Sequence, residues 1–271
     1  MSTLSMNEVT TYRWTLEEDL RRYREFGYDG IGLWRRKLED YGLPGAVELV
    51  AESGLKVTHL GWAGGFTGSD GRTYDDAVRD ALGAIRLAAQ LEAECLVLYS
   101  GGRNNHTFRH AERLLTAAID ELLDYAIAAD VVLALEPIHH DCAAEWSFLT
   151  EPAEALAVVE RFGCDHLKLA LDAYHFGDSP EVLANLGELA RHAALIHLAD
   201  RQTPRCIDQS RCALGEGSIP WVQFATGLIE AGFAGDFDVK IFGPEVSPSD
   251  YESLLTGAQQ AGDVWAPVRG R

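Results

Sequence analysis

Three observations predict an α/β fold of the (β/α)8 TIM-barrel class. Short β-rich runs alternate with longer amphipathic runs along the whole chain. The β-rich runs number eight, spaced by roughly 34 residues over a length of 271, which is the size of an eightfold βα barrel. No Pro/Gly/Ser-rich linker or low-complexity segment interrupts them, so residues 1–271 are expected to form one domain. The rival is a doubly wound open sheet. Its first βα turn should carry a Gly-rich phosphate fingerprint, and the corresponding segment here, MNEVTTY, has none.

The expected strands are 4–8, 28–34, 55–62, 94–100, 131–136, 167–172, 194–199 and 236–242, the first having the weakest pattern. Most are near-continuous apolar runs, as parallel strands covered on both faces require. About eight helices fall between them. Residues 75–92 place Val78, Leu82, Ile85 and Ala89 on one face, and residues 108–129 place Ala111, Leu115, Ala118, Leu122 and Ala126 on one face, both at the 3.6-residue period. Thr15 with Glu18 and Ser249 with Glu252 read as capping boxes, and Ser179-Pro180 as an N-cap followed by proline at the first helical position. Gly27, Gly54, Gly163 and Gly232 stand just after helical runs, where a left-handed residue closes the helix.

Composition excludes several classes of function. The formal charge is −19, a field that repels phosphate backbones and argues against nucleic acid as a partner. No apolar run reaches the roughly 18 residues needed to cross a bilayer, so no membrane association is expected. The N-terminus lacks the basic start and apolar stretch of a secretory signal. The cysteines number five, odd and too sparse for a disulfide framework. The chain reads as a reduced, cytoplasmic protein whose partner is a small molecule, with a homo-oligomer left open.

Barrel active sites form at the C-terminal ends of the strands, and strand parity decides which side chains face inward. Glu136 shares a face with Ala134, Asp172 with Ala170, and His197 with Leu195 and Ala199. Lys240 shares a face with Asp238 and Phe242. If Val239 and Ile241 pack against the outer helices, then Glu136, Asp172, His197 and Lys240 meet at the barrel mouth. Carboxylates there are costly unless paired or bound to metal. Two carboxylates and an imidazole suit a half-open shell for a divalent ion such as Mn²⁺, Mg²⁺ or Zn²⁺.

The motifs LALEP (133–137), LDAYH (171–175), IHLAD (196–200), LGEGSIPW (214–221) and DVKIFGPE (238–245) occur in an order that resembles the xylose-isomerase-like barrel superfamily of sugar isomerases and epimerases. The resemblance implies that Glu136, Asp172 and His197 are metal ligands and that His175 lies in a supporting shell or binds substrate. It implies a divalent cofactor, Mn²⁺ first, with Mg²⁺, Zn²⁺ or Co²⁺ as alternatives. The family's fourth ligand is a last-strand glutamate, which also moves a proton; this chain has Lys240 there. A protonated lysine cannot ligate metal. The ion then keeps three protein ligands, or Glu245 reaches in, or the metal is lost. Lys240 has three readings: an ion pair with Glu136 or Asp172, a contact for an anionic substrate group, or a general acid/base.

Other residues bear on substrate. His59, Trp62 and Trp34 end strands, where rings either stack on a sugar or pack under a loop. His139 is a candidate substrate contact, whereas His139, His140, Asp141 and Cys142 are too close in sequence to converge readily on one ion. Ser100-Gly101-Gly102-Arg103 reads as a turn. Arg201, Arg205 and Arg211 crowd one loop, and Arg205 is a candidate substrate ligand. Glu216 supports the site from LGEGS, with Ser218 capping the next helix. Cys206 and Cys212 are expected to be free thiols. The superfamily's endonuclease branch does not fit, since the fourth strand ends in Tyr99-Ser100 and no Asp-x-His follows His197.

The function expected is a metal-dependent isomerase or epimerase of a sugar, keto-sugar or cyclitol that moves a proton next to a carbonyl. Glu136, Lys240 and His175 are its catalytic candidates, and His59, Trp62, His139, His175, Arg205 and Glu216 its substrate-binding ones. The departure at Lys240 leaves two alternatives. One is a lyase or dehydratase performing β-elimination on a 3-keto-glycoside or keto-cyclitol, and the other is a non-catalytic sugar-binding barrel.

Overall fold

A computed structural model of the chain describes residues 2–244, 246–247 and 250–269. Eight parallel strands close into a barrel in sequence order: β1 (Leu4–Asn7), β2 (Gly30–Trp34), β3 (Lys56–Gly64), β4 (Cys95–Tyr99), β5 (Val132–Leu135), β6 (Leu167–Asp172), β7 (Ala193–Leu198) and β8 (Asp236–Val239), with β1 paired to β8. Each expected run holds one strand, with shifted ends, and the barrel class is the one found. Among the described residues, no helix is long and apolar enough to cross a membrane.

Helices cover the outside. They are α1 (Leu16–Glu25), α2 (Arg35–Tyr41), α3 (Leu43–Ser53), α4 (Tyr74–Gln90), α5 (Phe108–Ala128), α6 (His140–Ala143), α7 (Pro152–Phe162), α8 (Ala173–Phe176), α9 (Pro180–Ala184), α10 (Leu186–His192), α11 (Trp221–Glu230) and α12 (Tyr251–Arg269). The described residues thus hold more helices than the eight expected. Gly42, at φ 102°, separates α2 from α3, and Asn185 separates α9 from α10. The expected faces are confirmed: α4 buries Val78 and Ile85, and α5 buries Ala111, Leu115, Ala118, Leu122 and Ala126. Each leucine so buried contributes about 1.5–3 kcal/mol relative to exposure.

The caps are mostly as expected. Thr15 and Ser179 accept from the amides of Glu18 and Val182, and Gly54 and Gly163 close their helices in the left-handed region. Ser249, expected to cap α12, lies outside the described residues, as does Glu245. Ser218 does not cap α11: Pro220 stands at the cap, and the Ser218 hydroxyl donates to the Arg201 carbonyl instead. The last strand also ends earlier than expected. The Ile241 amide leaves the ladder for Thr10 Oγ1 (3.0 Å), and the Phe242 carbonyl accepts from the Arg211 amide.

Two apolar layers flank the sheet. The larger fills the space between strands and helices and includes Val239 and Ile241. The smaller, made of Cys95, Val97, Ala134, Ala170 and Leu195, plugs the barrel interior. That plug fixes inward parity, so the next inward positions along β5, β6 and β7 are Glu136, Asp172 and His197.

Candidate active site

Register sets a polar layer above the interior plug. Asp172 is paired with His197 across β6 and β7, and His197 with Asp238 across β7 and β8. On the other wall Asn7 is paired with Gly32, and Gly32 with His59. Gly32 is needed for space: a Cβ there would stand 2.1 Å from His59 Cε1 and 2.6 Å from Asp238 Oδ1. Asp238 accepts from Ser5 Oγ (2.7 Å), Asn7 Nδ2 (2.7 Å) and His197 Nδ1 (2.9 Å). This network assigns the His197 proton to Nδ1. Nε2 is then a bare acceptor, buried without a partner and 3.9 Å from Glu136 Oε1. Burial and the Lys240 charge hold His197 well below the usual histidine range and His59 at about 3, so both rings are neutral. Burial pushes Asp238 up to about 7 against its hydrogen bonds from Asn7 and Ser5.

Above this layer lies a quartet of charges. Lys240 Nζ is 2.9 Å from Glu136 Oε1 and 3.7 Å from Asp172 Oδ2. Arg211 Nη1 donates to Asp172 Oδ2 at 2.8 Å, while Asp172 Oδ1 accepts from the Tyr174 amide at 2.9 Å. The Arg211 guanidinium lies between the rings of Tyr174 and Phe242, 4.5 Å from each centroid. Its Nη2 reaches Gln209 Oε1 at 2.9 Å. Burial alone would raise the Asp172 carboxyl, but the Arg211 charge, together with His175, Lys240 and the Arg211 hydrogen bond, outweighs it and holds the group below the ordinary carboxylate range. All four residues are buried.

The structure places all three expected metal ligands in this region, with His197 Nε2 3.9 Å from Glu136 Oε1 and Lys240 in contact with both carboxylates, but not as a converged ligand set. Among the described residues, the His/Cys/Asp/Glu groups whose ligand atoms all lie within 4.8 Å of one another are His59–His197–Asp238 and the surface group His139–His140–Asp141. Glu136–Asp172–His197 is not among them; the Lys240 ammonium contacts both of its carboxylates, at 2.9 and 3.7 Å. Bonds of about 2.0–2.6 Å to a divalent ion require tighter convergence. Both Asp172 oxygens are engaged, one by Arg211 and the other by the Tyr174 amide. In the His59 group, the Asn7 amide donates to Asp238 and lies 3.1 Å from His59 Nε2, filling the gap an ion would need. Glu136–Asp172–His197 as arranged does not fit a divalent metal, whereas His59–His197–Asp238 could hold one only by displacing the Asn7 amide.

Glu136, Lys240 and His175 line a cavity of about 280 Å³, walled by Trp62, Tyr99 and Trp146 and roofed by Ile207, Gln209 and Phe242. The Trp62 ring faces Lys240 Nζ with its centroid at 5.4 Å. His175 is buried, its Nδ1 has no partner, and burial holds it well below the usual histidine range. An aromatic cleft of about 470 Å³ adjoins the cavity and shares Trp62 and Phe242 with it; Tyr12, Trp34 and Pro244 are among its other walls.

The remaining substrate candidates lie elsewhere. His59 is sealed beneath the polar layer, edge-on to His197 at 5.0 Å between centroids. His139 caps α6 and accepts from the Asp141 amide. Arg205 pairs with Asp178 and donates to the Tyr174 carbonyl at 3.0 Å, away from the cavity lining. Glu216 is exposed in a loop wrapped around Asp200, which accepts from the amides of Gly215, Gly217 and Ile219. The five cysteines are free. Sequence reasoning placed Arg211 in a crowded loop without assigning it a partner, and it passed over Asn7 and Tyr99. Asp238 was within reach, since it shares a strand face with Lys240.

A closed parallel barrel with charged groups gathered at the C-terminal ends of its strands has the layout of a TIM-barrel enzyme. The family described as Xylose isomerase-like TIM barrel matches residues 20–262, and the chain belongs to that family. It is similar to an L-ribulose 3-epimerase of Mesorhizobium japonicum, 26% identical over 242 residues, covering 85% of this chain and 77% of that one. It is also similar to an inosose isomerase of Halalkalibacterium halodurans, 24% identical over 267 residues, covering 94% and 93%. In fold it is similar to a crystal structure of the IOLI protein with a bound zinc atom, at a TM-score of 0.84 and 21% identity, covering 98% of both chains.

Proposed function

We propose that the chain is an isomerase or epimerase of a sugar, keto-sugar or cyclitol that moves a proton at the carbon next to a carbonyl. One observation carries this reading: a buried Glu136–Lys240 pair, 2.9 Å apart, on the floor of an aromatic-walled cavity the size of one monosaccharide ring. Rings such as Trp62 and Trp146 offer apolar faces to the C–H faces of a sugar. The partnerless His175 Nδ1 is a ready contact for a substrate hydroxyl. Glu136 takes the proton from the α-carbon and returns it on the same face to the neighbouring carbon, which is isomerisation; epimerisation needs the opposite face protonated by a second donor, water or a substrate hydroxyl. Lys240 neutralises charge that develops on the carbonyl oxygen. The relatives named epimerase and isomerase support this reaction class. No step of the reading passes through a metal.

The test is incubation in D₂O with a panel of ketoses and inososes, read by NMR. Solvent deuterium should enter next to the carbonyl, and Glu136→Gln should abolish that entry. A panel with no exchange above buffer would remove the reading.

A second reading is β-elimination from a keto-glycoside. It draws on the aromatic cleft beyond Trp62 and Phe242, which offers room for a leaving group. Release of an aglycone from a 3-keto-glycoside, in place of simple exchange, would select it.

A further inference from the structure

We propose that Lys240 and Arg211 together take the place of a divalent cation in this barrel, so that the site assembles and works without one. Glu136 and Asp172 bring two negative charges, and Lys240 and Arg211 bring two positive ones within 2.8–3.7 Å of them. A divalent ion added to this balanced set would leave two positive charges uncompensated in a buried site, which is unfavourable.

The Lys240 stem leaves the end of β8 and carries its ammonium between the two carboxylates, where an ion bridging them would have to lie. Arg211 is held in place, because its guanidinium is stacked between Tyr174 and Phe242, its Nη1 also donates to the Lys240 carbonyl and its Nη2 donates to Gln209. The Lys240 ammonium also opens onto the cavity. Resting on the reading above, it is the electrophile that faces the substrate's carbonyl oxygen.

The experiment is a titration of chelator-treated protein with MnCl₂ and with ZnCl₂, followed by calorimetry and thermal shift. His140→Ala/Asp141→Ala is used as background, to remove the exposed surface group that could bind zinc unspecifically. That protein should show no saturable uptake and no rise in melting temperature, since a ligand specific to the native state must raise it. Adding Lys240→Glu changes the local sum from zero to minus two, and this variant should take up one equivalent. One equivalent bound by the background protein and lost with Glu136→Gln would overturn the proposal. So would a folded Lys240→Glu variant that still binds nothing. Turnover separates this inference from the functional reading. With a turned-over substrate, activity should survive chelation and fall about 100-fold in Lys240→Met. Without one, the metal titration still decides.

Discussion

Arg211 donates to Asp172 across 2.8 Å while its guanidinium is stacked between Tyr174 and Phe242. The pair spans 39 residues of sequence and joins the loop after β7 to the end of β6. Both side chains are fully buried, so neither charge can fall back on water.

Removing Arg211 should therefore be costly. Arg211→Met leaves Asp172 with Lys240 at 3.7 Å and the Tyr174 amide. Losing one partner of a buried pair typically costs about 3–5 kcal/mol, and urea unfolding should show a loss in that range. Arg211→Lys should recover only part of it, since a lysine cannot match the planar stack. A loss below about 1 kcal/mol would mean that the stack and the pair contribute little.

Glu136 and Lys240 should be strongly coupled, and unequally replaceable. In Glu136→Gln the ammonium still has Asp172 nearby, whereas in Lys240→Met the Glu136 carboxylate keeps only the neutral His197, at 3.9 Å. Lys240→Met should be the more destabilising single change. The double variant should be less destabilised than the sum of the two singles, by at least about 1 kcal/mol. Additive effects in a denaturant cycle would contradict a shared charge pair.

The convergence of Glu136, Asp172, His197 and Lys240 was legible because strand alternation is rigid. Apolar residues two positions earlier, Ala134, Ala170 and Leu195, mark the inward face. The barrel followed from the count and spacing of the runs. What the sequence did not disclose lies in loops, where no period links residue to partner. Arg205 and Asp178 are 27 residues apart, and nothing in either segment points to the other. The end of β8 was hidden for a similar reason, because a threonine 231 residues away takes the Ile241 amide. The ammonium between the carboxylates was one of three readings for Lys240, and only side-chain geometry could choose among them.

Gly32 should tolerate no side chain. Its φ is ordinary, so the constraint is space alone: a methyl group would overlap His59 and Asp238. Overpacking a filled interior typically costs about 1–3 kcal/mol. Here it would also shift Asp238, which orients His197. Gly32→Ala should lower both the melting temperature and kcat, and a variant with unchanged kcat would separate the polar layer from catalysis.

The loop after β7 should be held by an acid-sensitive clamp. Asp178 pairs with Arg205 and with Arg201 (2.6 Å). Burial tends to raise its carboxyl, but the hydrogen bond and charge of Arg205, then those of Arg201, hold it below the ordinary value of 3.8. A folded-state value below the unfolded one contributes stability that is fully present above the unfolded value and lost as pH falls through the folded one. Wild type should therefore exceed Asp178→Asn in unfolding free energy at pH 6, and the difference should begin to shrink as the pH falls below about 4, the unfolded carboxyl's value. The loop carries Ile207 and Gln209 over the cavity, so Asp178→Asn should also raise KM more than it lowers kcat. A stability difference that stays constant from pH 6 to pH 3 would show that the clamp does not act through the Asp178 charge.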